Sequence, residues 1–360
     1  MAADYIASFM ESNGFTCSRE DFPCVGGIQL SYAVAMATGL AASLLVSGAG
    51  TARRALGLAL AALMEAMVLG ESTTLARPAG ALLPRKRGMN LICRKGDGTP
   101  RVVVAAHYDT VNQGSAFKPS RLRFVRPGFL AYNTFPVLTV LLRNRRSAAR
   151  LLQMAMVAGC ASMLQWYLLG RRNPGANDNA SGVAVSMEAA ARSASRGIDD
   201  IWFVFTDAEE CGLMGMEAFC GAHSLEIREA PIINLDSVGS GRLFLLEREG
   251  MLFRFRAYSP LIELLDGCAR RQGLDPGRSR NPGYTTDALP ALVRGLRAAS
   301  ISRLDRRGYI ANWHWEDCMD GIDREELERT VDFLEEVLCR ASAPGAPDGG
   351  PSATRLTRAS

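Results

Sequence analysis

The stretch FVFTDAEECGLMG, from Phe203 to Gly215, places Glu209 and Glu210 directly after a short run of apolar, β-favouring residues. An isolated pair of this kind is most often a solvated strand end. Two other apolar runs, RVVVAAHYDT (101–110) and PIINLDSVG (231–239), also end in acidic or histidine residues. Functional sites of open α/β sheets gather at the carboxyl ends of strands. The three strand ends together therefore predict an α/β fold with a site at one edge of its sheet.

The polar residues at these strand ends, together with two loop residues, form a candidate metal-binding set. They are His107, Asp109, Glu209, Glu210 and Asp236, joined by Asp178 in NPGANDNASG and His314 in NWHWED. Imidazoles and carboxylates without a thiolate suit zinc, or a similar divalent ion such as cobalt or manganese. Each motif alone is weak evidence, and the joint occurrence at element ends carries the prediction.

Composition limits the class of protein. The 360 residues are enough for one large α/β domain or two smaller ones, and a net charge of +4 is too small to indicate nucleic-acid binding. The nine cysteines are odd in number and form no CxxC pair, so we expect neither a disulfide framework nor a thiolate zinc site. The acidic, amphipathic opening MAADYIASFMESNGF is not typical of a signal peptide. A reducing, cytoplasm-facing environment fits these features.

Four apolar segments suggest two helical hairpins. Val25–Gly50 contains no charged residue, whereas the following segment, Ala55–Gly70, contains Glu65. Pro127–Leu142 is short, and Leu151–Gly170 is long enough to cross the hydrocarbon layer of a bilayer. We expect membrane insertion, with Glu65 facing protein if its segment spans. The alternative is a set of buried soluble helices that form a lid or a dimerisation arm.

The motifs AAHYDTV, NPGANDNASGVAV, TDAEECGLMG, NLDSVG and NWHWEDCMDGID resemble metallopeptidase family twenty-eight, the co-catalytic dizinc exopeptidases. Aminopeptidases, glutamate carboxypeptidases and the related glutaminyl cyclases belong to this family. The resemblance covers nearly all of the chain outside the apolar segments and the C-terminal tail. It implies a three-layer α/β/α fold with a mixed, mostly parallel central sheet.

The resemblance also implies two zinc ions bridged by Asp178. One ion would bind His107 and Asp236 as well, and the other would bind Glu210 and His314. Cobalt or manganese could replace zinc at such oxygen and nitrogen ligands.

Three further residues receive roles from the same resemblance. Glu209 would be the general base for the zinc-activated water, and Asp109 would fix the imidazole of His107. Tyr284 would stabilise the tetrahedral oxyanion. Asp317 follows the second histidine by three positions where relatives more often have an acidic residue at four, so its role is open. His223 and the cysteines are expected to be structural.

The implied activity is that of an aminopeptidase acting on peptides. The alternatives are an acyl transfer of the glutaminyl cyclase kind, which uses one zinc, and a non-catalytic membrane scaffold of the same fold. The complete ligand set argues against both. The sequence leaves the oligomeric state open.

The predicted organisation is an exopeptidase domain interrupted by two insertions. The domain comprises residues 1–24, 85–111 and 174–342, the insertions are 25–84 and 112–173, and a disordered tail covers 343–360. The hairpins would anchor the domain to a bilayer. Basic residues that flank the hairpins on the catalytic side outnumber those at the hairpin tips, which predicts a catalytic domain on the cytoplasmic side.

Overall fold

The β-strands of the computed structural model, which describes residues 1–279 and 283–342, form one large sheet and one small hairpin. They are β1 (Thr16–Cys24), β2 (Lys86–Lys95), β3 (Val102–His107), β4 (Ile201–Thr206), β5 (Ile232–Leu235), β6 (Arg242–Leu246), β7 (Arg248–Glu249), β8 (Phe255–Arg256), β9 (Gly277–Ser279) and β10 (Ala298–Leu304). The predicted disordered tail, 343–360, lies outside the described residues.

The large sheet has eight strands in the order β1-β2-β4-β3-β5-β10-β6-β9. The pairs β4–β3, β3–β5, β5–β10 and β6–β9 are parallel, whereas β1–β2, β2–β4 and β10–β6 are antiparallel. Strands β7 and β8 pair separately. This mixed, mostly parallel sheet confirms the predicted fold class.

The α-helices lie before, between and after the strands, including within the two insertions. They are α1 (Ala2–Ser12), α2 (Ile28–Val46), α3 (Thr51–Thr73), α4 (Val125–Asn133), α5 (Phe135–Leu141), α6 (Arg146–Leu169), α7 (Gly182–Ser195), α8 (Met214–His223), α9 (Ser259–Arg271), α10 (Ala288–Val293) and α11 (Arg324–Ala341).

Helices cover both faces of the central sheet. Every residue of β3, β4 and β5 is buried, as expected for parallel strands with helices on both sides. Helices α1, α7, α9 and α11 pack in the core on one face, and α8 and α10 pack in a second core on the other. The result is the predicted three-layer α/β/α arrangement.

The inserted segments pack together through a third apolar cluster. Helix α2 packs against α3 and α6, and the cluster includes Met36, Met64 and Met156. Of the described helices, α2, α3 and α6 are long and apolar enough to cross a membrane, with 19, 23 and 24 residues. Helix α3 belongs to this group although it contains Glu65, one of whose carboxylate oxygens is buried.

The prediction of four helical segments in two simple hairpins is wrong in one respect. The segment Pro127–Leu142 folds as two short helices, α4 and α5, which meet at Thr134. Pro136 lies at the start of α5, where its missing N–H costs nothing, but it cannot continue the hydrogen-bond ladder of α4. The second insertion therefore contributes one long helix and two short ones.

One disulfide departs from the expectation that the cysteines form no disulfide framework. Cys17 on β1 and Cys93 on β2 are joined by a disulfide. The two residues are directly paired in the antiparallel register of these strands, with Cα atoms 4.1 Å apart. The remaining seven cysteines are free.

Candidate active site

The sheet order brings the three predicted strand ends together. Strands β4, β3 and β5 are adjacent and parallel, so their carboxyl ends share one edge. His107 is the last residue of β3, Asp236 directly follows β5, and Glu209 and Glu210 lie in the loop after β4. The sequence prediction of a common edge is confirmed by this topology.

Asp178 reaches the same edge from the segment Ala176–Ser181, which precedes α7. Side-chain hydrogen bonds, rather than a regular pattern of backbone hydrogen bonds, hold this segment in place. The Asn179 amide donates to the backbone oxygen of Leu235 at 2.8 Å and its carbonyl oxygen accepts from the backbone N–H of Ser237 at 3.1 Å. These bonds tie the loop that carries Asp178 to the end of β5.

Two groups of potential metal ligands share Asp178. The first is His107, Asp178 and Asp236, and the second is Asp178, Glu210 and His314; the ligand atoms of each group lie within 4.8 Å of one another. Oδ1 of Asp178 is 3.1 Å from Nε2 of His107, and Oδ2 is 3.1 Å from Nε2 of His314. Each carboxylate oxygen of Asp178 thus faces a different imidazole.

The chemistry of this donor set fits divalent cations. Nε2 of His107 and Oε1 of Glu210 are buried, and neither makes a hydrogen bond with acceptable geometry to any described residue. A buried polar atom without a partner carries a desolvation cost. A metal held by these atoms would satisfy them, and the nitrogen and oxygen donors are those that zinc accepts.

The ionisation of these groups reflects crowded, buried carboxylates. Burial alone lowers the pKa of His314, but Glu210 and Asp178 outweigh burial and raise it to about 10. Burial, reinforced by the charge of Asp178, raises the pKa of Asp236 to about 8. Burial also raises the pKa of Glu209 well above its usual value, and neighbouring carboxylates add to the shift, although His107 opposes it. Positive charge is needed in this cavity to keep its carboxylates ionised.

Asp109 and Asp317 organise the backbone around the ligands. Oδ1 and Oδ2 of Asp109 accept hydrogen bonds, each 3.1 Å long, from the backbone N–H groups of Glu209 and Glu210. Oδ1 of Asp109 is also 3.5 Å from Nδ1 of His107. The predicted partner of the His107 ring therefore also holds the acidic pair after β4.

Asp317 plays the equivalent part for the loop that carries Asp178. Its buried carboxylate accepts from the backbone N–H groups of Asn177 and Asp178, both at 2.8 Å. The sequence left this role open because the spacing from His314 departs from the usual pattern.

Tyr284 lines the cavity that contains the candidate ligands. Its side chain is buried, it lines the same cavity as Glu209 and His314, and its hydroxyl makes no hydrogen bond to the described residues. Burial raises the pKa of this phenol well above its usual value, so the group stays protonated at neutral pH. His223 belongs to neither ligand group, and both nitrogens of its ring contact carboxylates, those of Glu20 and Glu226.

An aromatic wall around His314 was not predicted. The ring of Phe117 lies 4.5 Å from that of His314, Trp313 lies 5.0 Å away, and Trp166 lies 6.4 Å away. The motif NWHWED contained a signal for Trp313, but nothing in the sequence placed Phe117 or α6 near the site. The second insertion thus supplies part of the immediate surroundings of the ligands.

Known structures share this fold at low sequence identity. A Zn-dependent exopeptidase from Parabacteroides distasonis is 16% identical, with a TM-score of 0.55 over 94% of this chain and 88% of that one. An aminopeptidase from Aneurinibacillus sp. strain AM-1 is 17% identical, with a TM-score of 0.54 over 96% and 88%. A glutaminyl cyclase from Bacteroides thetaiotaomicron is 14% identical, with a TM-score of 0.53 over 93% and 87%. A sequence comparison with curated proteins gives no match.

A match to a family model assigns the chain to a family, which the shared fold alone does not. The model of Peptidase family M28 matches residues 90–338, which include every residue of the two ligand groups and the three helices of the second insertion. On this match, together with the shared fold, the chain belongs to Peptidase family M28.

Proposed function

We propose that the protein is a membrane-anchored, metal-dependent aminopeptidase that holds two zinc ions and removes N-terminal residues from peptides. The observation that carries this proposal is the pair of ligand groups that share Asp178. His107 and Asp236 would complete one zinc site, and Glu210 and His314 the other. Bound at these positions, the metal pair would supply Lewis acidity toward a carbonyl and favour a nucleophile near neutral pH.

The residues of the chain would divide the remaining work. Glu209 lines the cavity beside the ligand groups, and its raised pKa suits a group that accepts and returns a proton. It would take a proton from water as the water oxygen bonds to the carbonyl carbon, and deliver it to the amine nitrogen as the C–N bond breaks. The protonated Tyr284 hydroxyl would donate a hydrogen bond to the oxyanion that forms.

The glutaminyl cyclase alternative remains a second candidate because the fold is shared with such enzymes. Five buried ligands arranged around one shared carboxylate favour two metals, whereas the cyclase alternative needs one. A non-catalytic scaffold does not require the general base or the unsatisfied ligand atoms that this site retains.

The decisive experiment is hydrolysis of aminoacyl-anilides and short peptides by the purified full chain, with and without a chelator. We expect chelator-sensitive release of N-terminal residues, and about two zinc ions per chain by elemental analysis. The Glu209→Gln variant should keep its metal and lose turnover by roughly two to four orders of magnitude, the usual value of general acid–base catalysis. Full turnover in this variant would remove Glu209 from the role of base. Cyclisation of glutaminyl peptides without hydrolysis would favour the transferase.

We further propose that helices α2, α3 and α6 anchor the catalytic domain to a bilayer, with the domain and insertion boundaries given above. The excess of basic residues on the catalytic side predicts a cytoplasmic catalytic domain, and it stands without Arg77, whose largely buried side chain is ion-paired with Glu71 and Glu217; the disulfide points the other way. The Cys17–Cys93 disulfide is typical of oxidising compartments. We therefore propose the opposite orientation, with the catalytic domain on the non-cytoplasmic side.

A further inference from the structure

One cavity joins the ligand groups to the inserted helices. Its volume is about 660 Å³, and its wall includes Asp178, Glu209 and His314 at one end. Cavities of 300–1,000 Å³ hold whole drug-sized ligands, so this space far exceeds the side chain of a single residue. The site therefore has room for a substrate with a large group next to the scissile bond.

The other end of the cavity is lined by helices of the insertions. Tyr32 and Met36 come from α2, Phe129 comes from α4, and Met163 and Trp166 come from α6. These five side chains are apolar or aromatic, while the inserted segments also contribute Glu71, Ser72 and Arg121 to the lining, and Glu71 is ion-paired with Arg77. Helices α2 and α6 are two of the helices long enough to cross a membrane. The wall at this end thus matches a hydrocarbon chain better than a solvated peptide.

Direct contacts hold the insertions against the residues of the two ligand groups. The Trp166 ring packs 5.2 Å from that of Phe117, which in turn packs 4.5 Å from that of His314. A methyl group added at Gly212, two residues after Glu210, would lie 3.0 Å from Cδ1 of Ile28 on α2. The apolar end is therefore continuous with the ligand end and is not a separate surface groove.

We propose that the substrate is an amide that carries one long hydrocarbon chain, and that this chain lies between α2, α4 and α6 while the amide reaches the ligand groups. The proposal rests on the hydrolase function proposed above and names its substrate class. Water adds to the carbonyl carbon, the C–N bond breaks, and the amine leaves with the proton. The hydrocarbon chain can belong to the acyl side, as a long side chain on the N-terminal residue, or to the amine side.

Two homologous substrate series distinguish these sources. One consists of 2-aminoalkanoyl anilides with side chains of roughly two to twelve carbons, and the other of leucine alkylamides over the same range. The enzyme is the full chain in phosphatidylcholine nanodiscs. Full transfer of one methylene from water to an apolar site corresponds to about fourfold in affinity, so we expect kcat/KM to rise at least about tenfold along one series. The series that rises identifies the side of the amide that carries the chain.

A variant with a larger side chain in the cavity wall tests whether the chain-length preference depends on the inserted helices. Gly128 on α4 lines the cavity, and a Cβ added there meets no described atom within 4 Å. The Gly128→Phe variant should lower kcat/KM for the longest substrates by about tenfold or more relative to the shortest. The matched control is Gly221→Phe on α8, where an added Cβ is equally free but lies outside this cavity. It should leave the chain-length profile unchanged.

The outcomes separate the two proposals. Chelator-sensitive hydrolysis with a flat chain-length profile would overturn the hydrocarbon proposal and leave the exopeptidase proposal standing. If kcat/KM rises with substrate chain length equally in the native protein and in Gly128→Phe, the hydrocarbon chain binds elsewhere, and the hydrocarbon proposal is also overturned. If Gly128→Phe does not fold, Met163→Trp on α6 provides the same test. The absence of turnover on every substrate, despite bound metal, would overturn both proposals.

Discussion

Replacing Asp317 with asparagine tests whether a single buried carboxylate holds Asp178, the candidate shared ligand, in place. Its two oxygens accept the backbone N–H groups of Asn177 and Asp178 at 2.8 Å. Asparagine keeps the volume and one acceptor oxygen, but it presents an amide NH₂ group to the second N–H. One charge-assisted hydrogen bond is lost, and a buried backbone N–H is left without an acceptor.

The size of the effect follows from these two bonds. A hydrogen bond to a charged group contributes about 1.5–3 kcal/mol, and a buried donor without a partner costs about 1–3 kcal/mol. Burial raises the pKa of Asp317 above its usual value, so part of the loss is offset by removing a carboxylate that is costly to bury. We expect the free energy of unfolding to fall by about 2 kcal/mol. Metal affinity should fall about 10–100-fold, as for other residues that orient metal ligands.

The assay is a chelator titration of the metal-loaded protein, with retained metal measured at each chelator concentration, alongside thermal unfolding. Asp320→Asn is the matched control, because Asp320 lies in the same segment, is exposed and carries the same charge. The control should titrate as the native protein does. If Asp317→Asn kept native metal affinity and lowered only the unfolding temperature, the carboxylate would stabilise the loop without positioning Asp178.

Two further predictions concern stability and redox state. Alkylation of the unfolded, non-reduced protein should modify seven cysteines, and alkylation after reduction should modify nine, as counted by mass spectrometry. Nine modified cysteines without reduction would exclude the Cys17–Cys93 disulfide and, with it, the orientation proposed from that disulfide. Burial raises the pKa of Glu249 from 4.5 to about 7, so the folded state binds this proton more tightly than the unfolded chain does. Stability should therefore fall as pH rises from about 5 to about 8, by roughly 3 kcal/mol for this group, and Glu249→Gln should flatten that fall in urea unfolding. An unchanged slope in Glu249→Gln would assign the pH dependence to other groups.

The positions of His107, Glu210 and Asp236 were predictable because each lies at or just after the end of a strand that is evident from the sequence. Apolar runs mark β3, β4 and β5, and polar residues at the ends of parallel neighbours must share an edge. His107 and Asp236 are therefore brought together by topology alone. Asp178 and His314 lie in loops, where their residue types made them candidate ligands, and the motif resemblance assigned them to shared ligand groups. Their roles as ligands remain predictions that metal analysis can test.

Other features depend on register and packing, which local sequence does not encode. Cys17 and Cys93 are 76 positions apart, and only the pairing of β1 with β2 makes them neighbours. The contact of Phe117 with His314 depends similarly on how the second insertion folds back over the sheet edge. The break at Thr134 could have been predicted from Pro136, since proline favours the first turn of a helix over its interior.

The contacts of Arg77 argue that the first insertion is part of the site as well as an anchor. Arg77 follows α3, and its guanidinium bonds to Glu71 of that helix at 2.5 Å and to Glu217 of α8 at 2.8 Å. It also donates to the backbone oxygen of Gly212, in the loop that carries Glu210. Separating α3 and Arg77 from the catalytic domain would break the ion pair with Glu217 and the hydrogen bond to Gly212, and would leave a largely buried guanidinium with fewer partners. The inserted helix and the metal-ligand loop are thus held as one unit, so a substrate lying between the helices would meet a site whose geometry those same helices maintain.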